Sequence, residues 1–243
     1  MADAPEAWRQ RFAVRATEVG PDERASVLTV ADYFQEAAGE HARAGGVETF
    51  DLGASVGTWV LHRLRLQFNG LPHMREAVEV ETWPSGRDRL KAYRDYRLRS
   101  GAGDVLAVGT SAWFVIDVAR RRPVRLPAGL ERFGPAEPED ALSFEDPPEA
   151  PDRIEHRRTF HVRRSDLDRV GHANNVRFLE WALEALPSAA GLREIEVLYQ
   201  SEAVYGDDVV SEAGPLADDT RTHRLARAAD GRTFALARTR WTP

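Results

Sequence analysis

The chain has 243 residues, 42% of them hydrophobic and 30% charged, with a formal net charge of −6; that supports a packed globular core and argues against nucleic acid as a default partner. It contains no cysteine, which removes disulfides, thiolate zinc sites and cysteine nucleophiles and fits a reducing, cytoplasmic setting. The acidic opening, residues 1–6, does not read as a signal peptide, and apolar runs such as 112–116 fall far short of the ~20 residues that span a bilayer.

In chain order, residues 12–15 read as an opening strand. Residues 30–44 place Tyr33, Phe34, Ala37, Ala38 and His41 at helical spacing, and Gly45-Gly46 stops that helix. Four runs with period-two alternation follow, at 58–68, 77–83, 89–99 and 106–118, each expected to be a strand with one buried face. Asn69-Gly70, Ser85-Gly86 and the stretch from Ser100 to Gly103 read as hairpin turns between them. Residues 127–152 are rich in proline, glutamate and aspartate without periodicity and read as an extended linker.

The second half repeats the plan. Phe160-His161-Val162-Arg163 echoes Phe12-Ala13-Val14-Arg15. A helix is expected from about 175 to 185, with Val176, Phe178, Leu179, Ala182, Leu183 and Leu186 as its apolar stripe and Pro187 ending it. Strands are expected at 194–199, 208–212, 222–228 and 233–241. An α+β chain results: two units, each a long helix covered by an antiparallel sheet, joined in tandem. The expected boundaries are 8–126 and 153–243.

The segment from Ser165 to Trp181 carries the densest chemistry. It sets Asp166, Asp168, Gly171 and His172 in a short polar loop, then opens into the second helix. Gly171 allows a sharp turn, and Asn174-Asn175 suit the helix cap. N–H groups near His172 and at the helix start would suit a developing oxyanion. Asp168 reads either as a cap for the loop or as a general base or nucleophile, and the residue pattern alone does not separate it from Asp166. His172 reads as a loop-holding histidine or as a proton donor. Glu36, Glu40 and His41 have metal-like spacing, but a helix histidine of this kind is more often core, so no metal and no cofactor is expected. Gly101 to Asp104 lacks the rest of a dinucleotide fingerprint, and no G-x-S-x-G nucleophile elbow occurs.

The run Asp166-Leu167-Asp168, Gly171-His172-Ala173-Asn174-Asn175-Val176-Arg177-Phe178, Trp181 and Glu184 resembles the signature loop and helix of the fatty acyl-ACP thioesterases. So do Thr58-Trp59-Val60-Leu61 with Arg63, Val78 to Pro84, Arg94-Asp95-Tyr96 and Ala112 to Asp117. The resemblance spans nearly all of residues 8–241. It implies a tandem double hot-dog, with an acyl-chain pocket in the first unit and catalysis in the second. It carries catalytic roles to Asp168, His172 and Glu202, and a substrate or oxyanion role to the loop residues Gly171, Asn174 and Asn175. It implies hydrolysis of acyl-ACP to free fatty acid and holo-ACP, with acyl carrier protein as partner, and leaves room for a homodimer. Val170 stands where the plant enzymes commonly have asparagine, and Ala203 where they often have cysteine, so any shared mechanism runs on carboxylates, histidine and water. An acyl-CoA thioesterase of the same fold and a non-catalytic acyl-binding protein are the alternatives. Docking an acidic carrier onto an acidic chain calls for local arginines, with Arg120 to Arg125 and Arg157 to Arg164 as candidates.

Overall fold

A computed structural model describes residues 7–48, 58–117, 122–126 and 142–242. The chain divides into two compact units, Met1–Ser143 and Phe144–Pro243. Arg120, Arg121, Val118 and most of the proline-rich linker lie outside the described residues. The end of that linker is tied to the second unit: Glu145 receives Arg240 at 2.5 Å and Arg238 at 3.6 Å.

The first unit runs β1 (Trp8–Ala13), α1 (Val27–Ala44), β2 (Thr58–Phe68), β3 (Ala77–Arg87), β4 (Lys91–Ser100), β5 (Val105–Asp117) and a short β6 (Arg122–Val124). Its antiparallel order is β1-β3-β4-β5-β2, with β6 on β5. The second unit runs β7 (His156–His161), α2 (Asn175–Glu184), β8 (Leu192–Tyr199), β9 (Asp208–Ala213), β10 (Thr220–Arg227) and β11 (Thr233–Trp241), in the order β7-β9-β10-β11-β8. Both units thus place their first, third, fourth, fifth and second long strands side by side in the same sequence.

Each helix lays its apolar stripe on its own unit's strands. On α1, Tyr33, Phe34, Ala37, Ala38 and His41 are all buried. Phe12 stacks on Tyr33 at 4.2 Å and Tyr96 on Phe34 at 5.0 Å. On α2, Phe178 meets Tyr199 and Phe234 edge-on at 5.5 and 6.4 Å. Burying side chains of this size contributes roughly 1.5–3 kcal/mol each and holds helix to sheet. Among the described residues no helix is long and apolar enough to cross a membrane.

Three local expectations are corrected. The opening strands lie earlier than expected, because Val14–Arg15 and Val162–Arg163 leave the ladder: the Arg15 and Arg163 N–H groups donate to the Glu18 and Asp166 carboxylates and start a 3-10 turn. Asn69-Gly70 is no hairpin, since β2 pairs with β5 and not with β3; both N–H groups donate to the Leu106 carbonyl as the chain crosses away. Ser85-Gly86 lies inside β3 at a register shift between Pro84 and Gly86, where a residue without an N–H and one without a side chain accommodate a bulge. The true β3–β4 turn is made by Asp88, whose Oδ1 accepts the N–H groups of Leu90 and Lys91 at 2.7 and 2.8 Å.

Candidate active site

The loop between β7 and α2 is built from its own side chains. Asp166 is buried and caps the 3-10 turn, taking the Arg163 N–H at 2.7 Å and both arms of the Arg163 guanidinium. Burial would raise its carboxyl, but the Arg163 side-chain and backbone hydrogen bonds outweigh that and hold it below the usual range. Asp166 is therefore occupied in holding the loop. Its carbonyl also accepts the Asn174 N–H at 2.8 Å, and the Asn174 side chain caps α2 through the Val176 N–H at 2.9 Å.

Asp168 sits at the exposed turn. Its Oδ1 accepts the N–H groups of Val170 at 2.9 Å and His172 at 3.1 Å, and its own N–H donates to the His172 carbonyl at 2.7 Å. Gly171 completes the turn at φ +86°, the left-handed region, with no atom within 4 Å of where a Cβ would stand. The His172 N–H is thus committed to Asp168, and the Ala173 N–H donates to the Ala203 carbonyl at 2.8 Å. That last bond and a bridge between His172 and Val204 lay the segment after β8 alongside the loop. Glu202 is brought in by the same contact. Its Oε2 lies 3.5 Å from His172 Nε2, both side chains being a little over one-third exposed.

Residues that the loop motif did not reveal support this arrangement. The buried Tyr199 hydroxyl donates to the Asn175 carbonyl at 3.1 Å, tying the first turn of α2 to β8. Ser201 Oγ donates to the Thr233 carbonyl at 2.8 Å, beside Glu202. Asp207 accepts the Val204 N–H at 3.0 Å and pairs with Arg227 at 3.2 Å, fixing the turn after Glu202. Tyr199 and Ser201 lie just before Glu202 in the sequence and carry a weak signal there; Asp207 carries none.

The first unit holds a second copy of this loop. The 3-10 turn (Ala16–Glu18) again follows a strand, and the bridges Val19 to Ala25 and Arg24 to His73 match Leu167 to Ala173 and His172 to Val204. Gly20 N–H donates to the Arg24 carbonyl, Ala25 N–H to the Pro72 carbonyl and Ser26 N–H to the Glu18 carbonyl, each the counterpart of a bond in the second loop. Glu23 takes the positive φ of Gly171, at +58°. The Arg24 N–H is met by Asp22 at 3.2 Å, as the His172 N–H is met by Asp168. Where the second copy has Asp168, His172 and Glu202, the first has Gly20, Arg24 and Leu71. The loop closes without the acid–histidine–acid set, so backbone architecture does not account for it.

Other candidates are occupied elsewhere. His41 is buried with its Nδ1 3.1 Å from Arg94, and Glu40 pairs with Arg43. Ala203, at the position of the plant cysteine, is fully buried. Val170, at the position of the plant asparagine, is 53% exposed.

A helix packed on an antiparallel sheet is the arrangement of the hot-dog fold. Solved structures agree on the fold. An acyl-ACP thioesterase from Bacteroides thetaiotaomicron superposes with a TM-score of 0.87 at 20% identity, covering 100% of both chains. The 12:0-ACP thioesterase from Umbellularia californica gives 0.83 at 22% identity, covering 98% of each. Residues 5–131 match the acyl-ACP thioesterase N-terminal domain and residues 149–243 the acyl-ACP thioesterase C-terminal domain. The chain belongs to the acyl-ACP thioesterase family. Among curated relatives, an oleoyl-acyl carrier protein thioesterase of Coriandrum sativum is 30% identical over 87% of this chain. A palmitoyl-acyl carrier protein thioesterase of Gossypium hirsutum is 28% identical over 97% of it. The chain spans just under two thirds of the length of these relatives, 63% and 64%.

Proposed function

We propose that this protein hydrolyses fatty acyl-ACP to free fatty acid and holo-ACP, ending chain elongation in the cytoplasm. The observation that carries the reading is the contact of His172 Nε2 with Glu202 Oε2 at 3.5 Å, in the one of two matching loops that has these residues. Family membership supports the carrier as the source of the acyl group. On this reading the two units are hot-dogs in tandem, 8–126 and 153–243 about the linker 127–152. The first shapes the acyl pocket and the second performs the chemistry.

The steps follow from the side chains. Glu202 takes a proton from water as the water oxygen bonds to the thioester carbonyl carbon. The tetrahedral intermediate collapses with cleavage of the C–S bond, and His172 relays the proton to the leaving sulfur. Asp168 holds the loop through Oδ1, and the negative charge at Oδ2 steadies the proton while it is on His172. With the Gly171, His172, Ala173 and Asn174 N–H groups already bonded, oxyanion stabilisation falls to the His172 ring and the side-chain amides of Asn174 and Asn175 beside Gly171. Assaying the purified protein on matched acyl-ACP and acyl-CoA tests the reading. Turnover of acyl-ACP, lost by at least about 100-fold in Glu202→Gln and His172→Ala, is expected. Strong preference for acyl-CoA would overturn the carrier assignment, and acyl binding without turnover would overturn hydrolysis.

A further inference from the structure

Exposed apolar side chains flank the acid–histidine pair. Val170 is 53% exposed, Val204 41% and Tyr205 51%. Val170 lies in the His172 loop, and Val204 is bridged to His172 by backbone. Over the Tyr205 ring stands the Arg164 guanidinium, 4.4 Å from its centroid. Arg157, Arg158 and Arg163 hold Glu212, Glu184 and Asp166, whereas Arg164 has no carboxylate partner among the described residues.

The duplicated loop provides an internal comparison. At the positions of Arg164, Val170, Val204 and Tyr205 the first unit has Ala16, Asp22, His73 and Met74. The same turns therefore form with Asp22 and His73 in place of the two valines and with no such arginine, so nothing in the loop's construction requires the valines or Arg164. Of the two copies, only the one with His172 and Glu202 has the valine pair and the stacked arginine and tyrosine. From His156 to His172 the sequence has five arginines against two aspartates, in a chain of net charge −6. Asp166, one of those two, is buried under Arg163.

We propose that Arg164, Val170, Val204 and Tyr205 form the docking surface for the acidic carrier protein that brings the acyl chain. This rests on the hydrolase reading above and assigns it a face. An acidic carrier with some apolar surface matches an arginine stacked on a tyrosine beside two valines. Docking there sets the carrier's thioester arm beside Glu202 and His172. A lipid surface fits less well, because three apolar side chains are a small patch for entry into a bilayer interface.

The test uses the full chain and a fluorescently labelled bacterial apo-acyl carrier protein, with affinity read by anisotropy. Arg164→Ala and Tyr205→Met install residues that the first copy of the loop already accepts. Together they are expected to weaken carrier binding about tenfold or more, while Glu202→Gln binds as wild type. In turnover the double variant should raise KM for acyl-ACP and leave kcat/KM for the same acyl group on pantetheine unchanged. Unchanged carrier affinity, or equal losses on acyl-ACP and acyl-pantetheine, would overturn the docking surface. Carrier affinity that stays constant while binding to phosphatidylglycerol vesicles is lost would reassign the patch to lipid. Carrier binding that depends on the patch, in a protein that hydrolyses no acyl-ACP, would uphold the surface and remove the hydrolase reading.

Discussion

His172 and Glu202 meet at 3.5 Å through Nε2 and Oε2 because the Ala173 N–H binds the Ala203 carbonyl and His172 bridges Val204. Two distant segments are thus held by main chain, so the side chains need spend little entropy in finding each other. Residues acting as one unit give non-additive losses. Glu202→Gln, His172→Ala and the double variant are expected to reduce kcat/KM for acyl-ACP by similar factors. A double variant whose loss is the product of the two singles would show that the pair does not act together.

Asp168 has two separable duties. Its Oδ1 accepts the Val170 and His172 N–H groups, and in the proposed mechanism the charge at Oδ2 steadies the proton on His172. Asparagine keeps the first and loses the second; alanine loses both. Asp168→Asn should melt close to wild type while losing at least about 100-fold in turnover. Asp168→Ala should lose as much turnover and in addition about 1 kcal/mol of stability. Thermal melts with turnover measured on the same samples decide it, and a fully active Asp168→Asn would limit the residue to holding the loop.

Gly171 stands at φ +86° with nothing within 4 Å of a built Cβ. The cost of Gly171→Ala is therefore one of backbone alone, about 1–2 kcal/mol. Asparagine tolerates the left-handed region better, so Gly171→Asn should recover much of that loss in denaturant midpoint. If alanine and asparagine prove equally harmful, backbone conformation is not what the glycine supplies.

The repeat was legible because period-two and helical spacing are local properties. Strands β2 and β11 and the end of α1 fall where alternation and Gly45-Gly46 put them. The acid–histidine loop was also legible, since Asp168, Gly171 and His172 are near neighbours. Glu202 was not, because its meeting with His172 depends on a bridge between residues far apart in sequence; only family resemblance pointed to it. Ser85-Gly86 misled because glycine marks a bulge as readily as a turn. Asp88, which makes the real turn, is one of many aspartates. The matching loop in the first unit was invisible for a similar reason: backbone bonds define it, and its side chains at the decisive positions are Gly20, Arg24 and Leu71.

His223 on β10 is fully buried, with Nε2 2.9 Å from Thr239 Oγ1 and no hydrogen-bond partner at Nδ1. Burial, aided by the nearby Arg221 charge, depresses its pKa to about 3 from the ordinary 6.5. It is therefore neutral in the folded protein, while in the unfolded chain it gains a proton below pH 6.5. The unfolded state then binds more protons, so stability is complete above pH 6.5 and falls as pH drops toward about 3. The loss is roughly 1 kcal/mol per pH unit in that window. His223→Leu removes the titration, and Thr239 Oγ1 keeps the Trp241 Nε1 donor at 3.0 Å. The stability of wild type relative to His223→Leu, from urea unfolding at pH 7.5, 5.5 and 4.5, should decline steadily with acidity. A difference that stays constant across those pH values would mean that His223 is not held neutral by its burial.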